Sequence, residues 1–220
     1  HRTGNGLVYS SQFLDDNTAQ HTLIGHLDAE ALAEPRKISF VTGRRKQQWL
    51  QNCVAIGLSS GFLEPLESTS IHLIQSAIVR LVQCFPQQAD MAALRREYNR
   101  QSQQEFEAIR DFIILHYHLN QRNDNGLWQY CRTMALPDSL AQRIELFRQS
   151  GAVFRQQDEL FTEVAWQQVM LGQHLRPQHY HPLADSLTEE QLSGFLADLK
   201  AIISRTAAQL PSHQQFLQQG

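Results

Sequence analysis

Glu67 is the residue best placed to do chemistry, because it stands just before a predicted helix start in the run PLESTS. The partial positive charge of a helix N-terminus stabilises an ionised carboxylate, and such a group can remove a proton or stabilise a developing cation. Ser68 or Thr69 is the expected N-cap, and the free N–H groups of Thr69 and Ser70 can bind an anion such as phosphate or halide. An ordinary cap whose acidic neighbour only offsets the helix dipole is the simpler interpretation, and spacing alone does not separate the two.

Two histidine pairs, His116/His118 and His179/His181, also have residue types that bind metals. Residues at i and i+2 face opposite sides of a helix, so this spacing suits chelation only on a strand. The sequence has three cysteines, Cys53, Cys84 and Cys131. Their odd number and wide spacing argue against a disulfide framework or a zinc site. We therefore predict no metal, and reduced, buried thiols in a cytoplasmic protein.

The loop that carries Glu67 lies between a predicted strand and a predicted helix. Residues 49–56 (WLQNCVAI) form the expected buried strand, and Gly57 permits a sharp exit from it. Apolar residues then recur at helical spacing from Ile71 to Phe85, and Pro86 ends this helix. Upstream, residues 6–11 and 38–42 are predicted strands, with a helix between them in residues 16–32.

The pattern becomes entirely helical after residue 86. Helices are predicted in residues 92–119, 138–149, 159–173 and 188–210, with glycine or proline punctuation between them. We therefore divide the chain into two parts, residues 1–86 with strands and residues 87–220 without them.

Composition excludes several classes of protein. The chain has 220 residues, a net charge of -3 and 42% hydrophobic residues, which are ordinary values for a globular protein. The cluster Arg44, Arg45, Lys46 is too short for a surface that tracks phosphates, so we predict no nucleic-acid partner. No apolar run approaches the ~18 residues of a membrane-spanning helix, so we predict no membrane association.

Residues 57–75 (GLSSGFLEPLESTSIHLIQ) are similar, almost residue by residue, to the active-site loop of flavin-dependent tryptophan halogenases. Residues 1–11, 40–45, 110–117 (RDFIILHY) and 166–173 resemble family segments in the same order. The resemblance covers most of the chain and implies the C-terminal part of such an enzyme. The implied fold is α/β and helix-rich. Residues 1–86 would be the C-terminal part of a p-hydroxybenzoate-hydroxylase-like FAD-binding fold, and residues 87–220 a helical substrate-binding region.

The resemblance implies a role for each residue of the loop. The family's motif glutamate lies in the substrate chamber near the carbon to be halogenated, so Glu67 would be catalytic and substrate-binding. Thr69 and Ser70 would hold the halide through backbone N–H groups. Leu58 and Ile71 would contact the flavin, although core packing is the alternative for both.

The implied activity belongs to secondary metabolism. Reduced FAD, oxygen and chloride or bromide would be used to halogenate tryptophan, indole or a related electron-rich aromatic. A separate flavin reductase would supply reduced FAD, and a homodimer is possible. A flavin monooxygenase that hydroxylates instead, and a truncated helical interaction module without activity, are the alternatives.

This sequence departs from the family at three places. Ser70 stands where the family usually has Gly, which is acceptable if φ is negative. The sequence contains no G-x-G-x-x-G loop and no lysine that matches the catalytic one, so we expect this chain alone to bind FAD weakly and not to halogenate. Residues 165–173 carry Val, Gln and Met where tryptophan-specific members clamp the amino acid. A free indole is therefore as good a candidate as tryptophan, and Trp166 is expected in the core.

Overall fold

The computed structural model describes residues 3–86, 92–156 and 159–218. The helices are α1 Asp16–Gly25, α2 Ser70–Gln83, α3 Ala92–His118, α4 Gly126–Thr133, α5 Asp138–Ser150, α6 Glu163–Gly172, α7 Glu189–Gln209 and α8 His213–Leu217. The strands are β1 Gly43–Arg44, β2 Trp49–Leu50, β3 Cys53–Val54 and β4 Gly61–Phe62. The predicted division after residue 86 falls beside residues 87–91, which are outside the described ranges.

The central element is α3, a helix of 27 residues that contacts α2, α4, α5, α6 and β2. Its C-terminal half packs with α5 and α6 in the main apolar core, whose buried residues are Phe112, Leu115, Leu140, Ile144, Phe147, Val153, Trp166 and Met170. Its middle packs on α2 through Leu73, Phe106, Ile109 and Ile113. Its N-terminal part meets the β2–β3 hairpin, where Tyr98 lies against Trp49. Helix α3 therefore determines where these neighbouring helices and the hairpin lie.

A buried charged network joins α2 to α3. The guanidinium of Arg80 donates to Ser102 Oγ and to Glu105 Oε2, each at 2.8 Å. The other Glu105 oxygen lies 3.0 Å from Nε2 of His72. Both Arg80 and Glu105 have side chains that are at most a tenth exposed, so this network fixes how the helix after the loop sits on α3.

The predicted strands are the main error of the sequence analysis. Residues 6–11 and 38–42 form no strand, and the apolar side chains there include exposed Val8, Ile38 and Val41. A strand needs a neighbour to pair its backbone groups, and no described segment pairs with either run. Residues 49–56 form a short antiparallel hairpin, β2–β3, because the chain turns at Gln51, whose φ is +52°.

The other sheet, β1–β4, is also a two-stranded antiparallel pair, with Gly43 opposite Phe62 and Arg44 opposite Gly61. A Cβ at Gly61 would lie 2.7 Å from the carbonyl oxygen of Gly43 and 2.9 Å from the ring of Phe106. Only glycine therefore allows this strand to approach α3 so closely.

The helix predictions are largely confirmed, with four differences. The first helix ends at Gly25 and not near residue 32. The helix predicted from residue 159 begins at Glu163, where the Thr162 side chain accepts from the Ala165 N–H, while Glu159 is bonded to Arg143. Helix α4, which the Asn125 side chain caps, was not predicted. The short helix α8, which has a capping box at Ser212, was not predicted either.

Helix α7 has a capping box at Thr188 and contains no buried residue. Its exposed apolar residues recur along one side, at Leu192, Phe195, Leu196, Leu199, Ile202 and Ile203. No helix among the described residues is long and apolar enough to cross a membrane.

Candidate active site

The loop between β3 and α2 carries the candidate residues, and local backbone geometry sets its path. Gly57, at the exit from the hairpin, has φ +68°, a left-handed conformation that favours glycine. The chain then passes through a 3₁₀ turn at Gly57–Ser59, strand β4 and a second 3₁₀ turn at Pro65–Glu67. The predicted sharp exit at Gly57 is confirmed.

The start of α2 offers unpaired backbone donors. Thr69 is the N-cap, one of the two residues predicted, but its side chain makes no capping bond, and Ser68 before it is left-handed with φ +53°. The buried Thr69 accepts from the Leu73 N–H through its carbonyl at 2.9 Å. No acceptor within the described ranges bonds the N–H groups of Thr69, Ser70 and Ile71. These donors, at the positive end of the helix, suit an anion.

Glu67 ends the second 3₁₀ turn, and its side chain is paired with α3. Glu67 Oε1 lies 3.1 Å from Nε2 of His116, in the last turn of α3. Both side chains are partly buried. This partner was not predicted, because the sequence showed His116 only as half of an i,i+2 histidine pair. The available signal was the run RDFIILHY, which carries this histidine.

Glu64 holds the other end of the same turn. Its Oε1 accepts from the Leu66 N–H at 3.1 Å, and its Oε2 accepts from the Tyr117 hydroxyl at 3.0 Å. Burial and the negative charge of Glu64 raise the pKa of Tyr117, so the phenol remains a donor at neutral pH. Two adjacent residues of α3 therefore bind both glutamates of the loop.

Leu58 and Ile71, the predicted flavin contacts, lie on the surface. Their exposed fractions are 77% and 78%, which excludes core packing as their role within this chain. The 3₁₀ turn that contains Leu58 packs against α2. Both side chains are therefore free to contact a flat apolar ligand.

Aromatic residues lie behind His116. The ring of Phe112 meets His116 edge-on with centroids 4.9 Å apart and stacks on Phe161 at 3.8 Å. Trp166 lies 4.8 Å from Phe112, is 1% exposed and has the Arg143 guanidinium 4.1 Å above its ring. Trp166 is therefore a core residue, as predicted.

The remaining histidines and cysteines do not come together in a second site within the described residues. Within the described ranges, no group of three His, Cys, Asp or Glu side chains is arranged to hold a metal ion. His118 Nδ1 lies 3.2 Å from the carbonyl oxygen of Cys131, and His181 caps the following 3₁₀ turn. All three cysteines are free. Burial raises the pKa of the Cys84 and Cys131 thiols, whereas Cys53 is exposed, contrary to the prediction.

An open cavity of about 350 Å³ lies between the loop and α3. Its walls are mainly apolar and include Glu64, Arg110 and Tyr117. Its volume suits a small aromatic molecule, but Glu67 and His116 are not among its lining residues.

Comparison with known proteins defines the class of this fold. The structure matches Xcc4156, a flavin-dependent halogenase from Xanthomonas campestris, with a TM-score of 0.92 and 50% identity over 96% of this chain and 43% of that chain. It matches BrvH, a flavin-dependent halogenase from Brevundimonas sp. BAL3, with a TM-score of 0.88 and 45% identity over 93% of this chain and 42% of that one. The predicted helix-rich fold, the C-terminal part of a flavin-dependent halogenase, is confirmed.

Sequence comparison identifies the family within this class. Residues 1–189 match the family model described as tryptophan halogenase. Tryptophan 6-halogenase SttH from Streptomyces toxytricini is 43% identical over 148 residues, which are 67% of this chain and 28% of that protein. The chain belongs to the tryptophan halogenase family, and it spans less than a third of the length of this curated relative.

Proposed function

We propose that this chain forms the halide-binding and substrate-binding part of a flavin-dependent halogenase. The activity would attach chloride or bromide to tryptophan, indole or a related electron-rich aromatic. One arrangement supports this proposal above all others. The unpaired N–H groups of Thr69 and Ser70 lie at the start of α2, and the turn that carries exposed Leu58 packs against this helix. Glu67, two residues before Thr69, contacts α3.

The start of α2 is the proposed halide site. The N–H groups of Thr69 and Ser70 would bind the anion with the help of the helix dipole. Leu58 and Ile71 would lie against the ring of FAD and exclude water from it. Reduced FAD, together with oxygen, supplies the oxidising power that converts halide into hypohalous acid.

Glu67 is the proposed catalytic residue. When an electrophilic halogen bonds to a ring carbon, the ring becomes cationic, and a nearby carboxylate stabilises this charge. A Glu67 oxygen then accepts the proton from the same carbon, and the electron pair of the broken C–H bond restores aromaticity. Both tasks require Glu67 to be ionised.

The substrate proposal stays broad because residues 165–173 do not resemble an amino-acid clamp. Helix α6, which covers most of this segment, places Trp166 and Met170 in the core. A free indole therefore remains as good a candidate as tryptophan. A separate flavin reductase is the proposed protein partner, and the free thiols accord with a cytoplasmic location.

We also propose two functional parts. Residues 1–86 would contact flavin and halide, and residues 87–220 would bind the substrate. The α2–α3 packing and the Arg80 network join the described portions of these parts.

A chimera tests the proposed function. Residues 1–220 would replace the matching part of Xcc4156, and halogenated products would be measured by mass spectrometry with indole and tryptophan. The reaction would contain a flavin reductase, NADH, oxygen and either bromide or chloride. We expect halide-dependent product, and about a 100-fold lower kcat for the Glu67→Gln chimera, because general-base contributions are typically of this size or larger.

Two results would contradict the proposal. A soluble, flavin-bound chimera that yields no halogenated product, or one that hydroxylates the substrate without halide, would exclude halogenation as the activity of these residues. Unchanged turnover in the Glu67→Gln chimera would remove Glu67 from the mechanism.

A further inference from the structure

We propose that His116 is a positioning residue that orients the Glu67 carboxylate and leaves one of its oxygens free for the substrate's proton. This inference rests on the proposed function of Glu67. It is carried by two contacts of a single imidazole ring, one to the backbone of α3 and one to Glu67.

The backbone contact defines which ring nitrogen carries hydrogen. His116 Nδ1 lies 2.8 Å from the carbonyl oxygen of Phe112, one turn earlier in α3. A carbonyl can only accept, so Nδ1 must be the donor. The ring therefore presents Nε2 to Glu67, either as an acceptor or, when the imidazole is charged, as a second donor.

The contact with Glu67 is an ion pair when the imidazole ring is charged. His116 Nε2 and Glu67 Oε1 are 3.1 Å apart, which is within ion-pair distance. An unprotonated Nε2 facing an ionised carboxylate would be repulsive. A charged ring therefore attracts the carboxylate, and this attraction sets the direction of the Glu67 side chain.

The pairing distinguishes the two carboxylate oxygens. Oε1 lies 3.1 Å from His116 Nε2, whereas Oε2 has no partner among the residues that the structure describes. In the proposed reaction, the C–H bond of the halogenated carbon breaks, its electron pair returns to the ring, and its proton passes to Oε2.

The ring of His116 is itself fixed by its surroundings. Phe112 contacts it edge-on with centroids 4.9 Å apart, and Phe161 stacks on Phe112 from the core. On the other side of the turn, Tyr117 holds Glu64. Glu67 therefore has little freedom, and proton transfer depends on such positioning, because a displacement of about 1 Å can cost roughly 100-fold in rate.

NMR of the 220-residue chain tests the pairing without any catalytic assay. Long-range 1H–15N spectra would be recorded at pH 7, and His116 would be identified by the signals lost in His116→Gln. We expect Nδ1 of His116 to be protonated. The 15N chemical shift of its Nε2 should change in Glu67→Gln but not in His118→Gln. The control residue His118 lies in the same helical turn and contacts Cys131 instead. A neutral ring protonated at Nε2, or an Nε2 signal unaffected by Glu67→Gln, would overturn the proposal.

Kinetics of the Xcc4156 chimera test the role. We expect His116→Leu to lower kcat roughly 100-fold with little change in the KM for the aromatic substrate. His116→Gln should recover part of the loss, since its amide N–H can donate to Oε1, and His118→Gln should behave like the parent. A kcat of His116→Leu equal to that of the parent would overturn the positioning role while the proposed function stands. An inactive parent chimera would overturn the proposed function, and the NMR result would still decide the pairing.

Discussion

At the scale of single residues, Ser70 is the notable departure within the proposed halide site. It stands where the family usually has glycine, yet it is the first residue of α2 and does not have a positive φ. Its side chain is exposed, and no bond involves its hydroxyl within the described ranges. The backbone therefore presents the same N–H donor whichever small side chain is attached.

We predict that Ser70→Gly and Ser70→Ala leave the halide KM of the chimera within about twofold of the parent, because an N–H donor does not depend on the side chain. The measurement is initial rate against chloride and bromide concentration. A rise of about tenfold in Ser70→Ala would show that the hydroxyl itself binds the ion, and would assign the halide contact to a side chain.

At the scale of elements, the Arg80 network determines how α2 meets α3. We predict that Arg80→Met destabilises the chain by about 3–5 kcal/mol, because it leaves the buried Glu105 carboxylate without its strongest partner. The measurement is the free energy of unfolding from urea titration.

The matched control is Arg100→Met. Arg100 pairs with Glu97 on the exposed surface of α3, and loss of such a pair costs at most about 1 kcal/mol. Equal losses in the two variants would mean that the network does not anchor α2.

The helices could be predicted from the sequence, but the strands could not. Helices satisfy their backbone groups locally, and their apolar residues repeat at a spacing that is visible in the sequence. Residues 38–42 have the composition of a strand, yet a strand forms only when another segment pairs with it. The short helix α4 lacked a clear apolar repeat, although Asn125 was a readable capping signal.

The residues of the loop were predicted from the sequence, but the residues of α3 that contact them were not. The resemblance identified Glu67, Thr69 and Ser70, and their roles remain proposals. The pairing of Glu67 with His116 joins residues that are 49 positions apart in sequence. No local pattern encodes such a contact, because it depends on how α3 packs beneath the loop.

At the scale of the whole molecule, two apolar faces stay uncovered. One is the side of α7 that carries Phe195 and Ile202, and the other follows α2 from Ile71 to Phe85. The same chain trace fits Xcc4156 with a TM-score of 0.92 while accounting for only 43% of that chain. Exposed apolar faces of this kind mark interaction surfaces.

We predict that the 220-residue chain self-associates through the face of α7. Phe195→Glu combined with Ile202→Glu should shift it toward monomer in light scattering, whereas Lys200→Glu should not. In the chimera, Phe195→Glu should lower the thermal midpoint, because the same face would then be buried. A monomeric parent chain, or a chimera indifferent to Phe195→Glu, would contradict this prediction.

The contacts of His116 with Glu67 and of Tyr117 with Glu64 bear on how such an enzyme acquires new substrates. Both residues sit at one end of α3, whose 27 residues span about 40 Å, and its opposite end rests on the β2–β3 hairpin. A slight tilt of α3, caused by a substitution near Tyr98, would move the Glu67 side chain without any change in the sequence of the loop. Directed evolution toward unfamiliar rings should therefore yield beneficial changes far from the reaction centre.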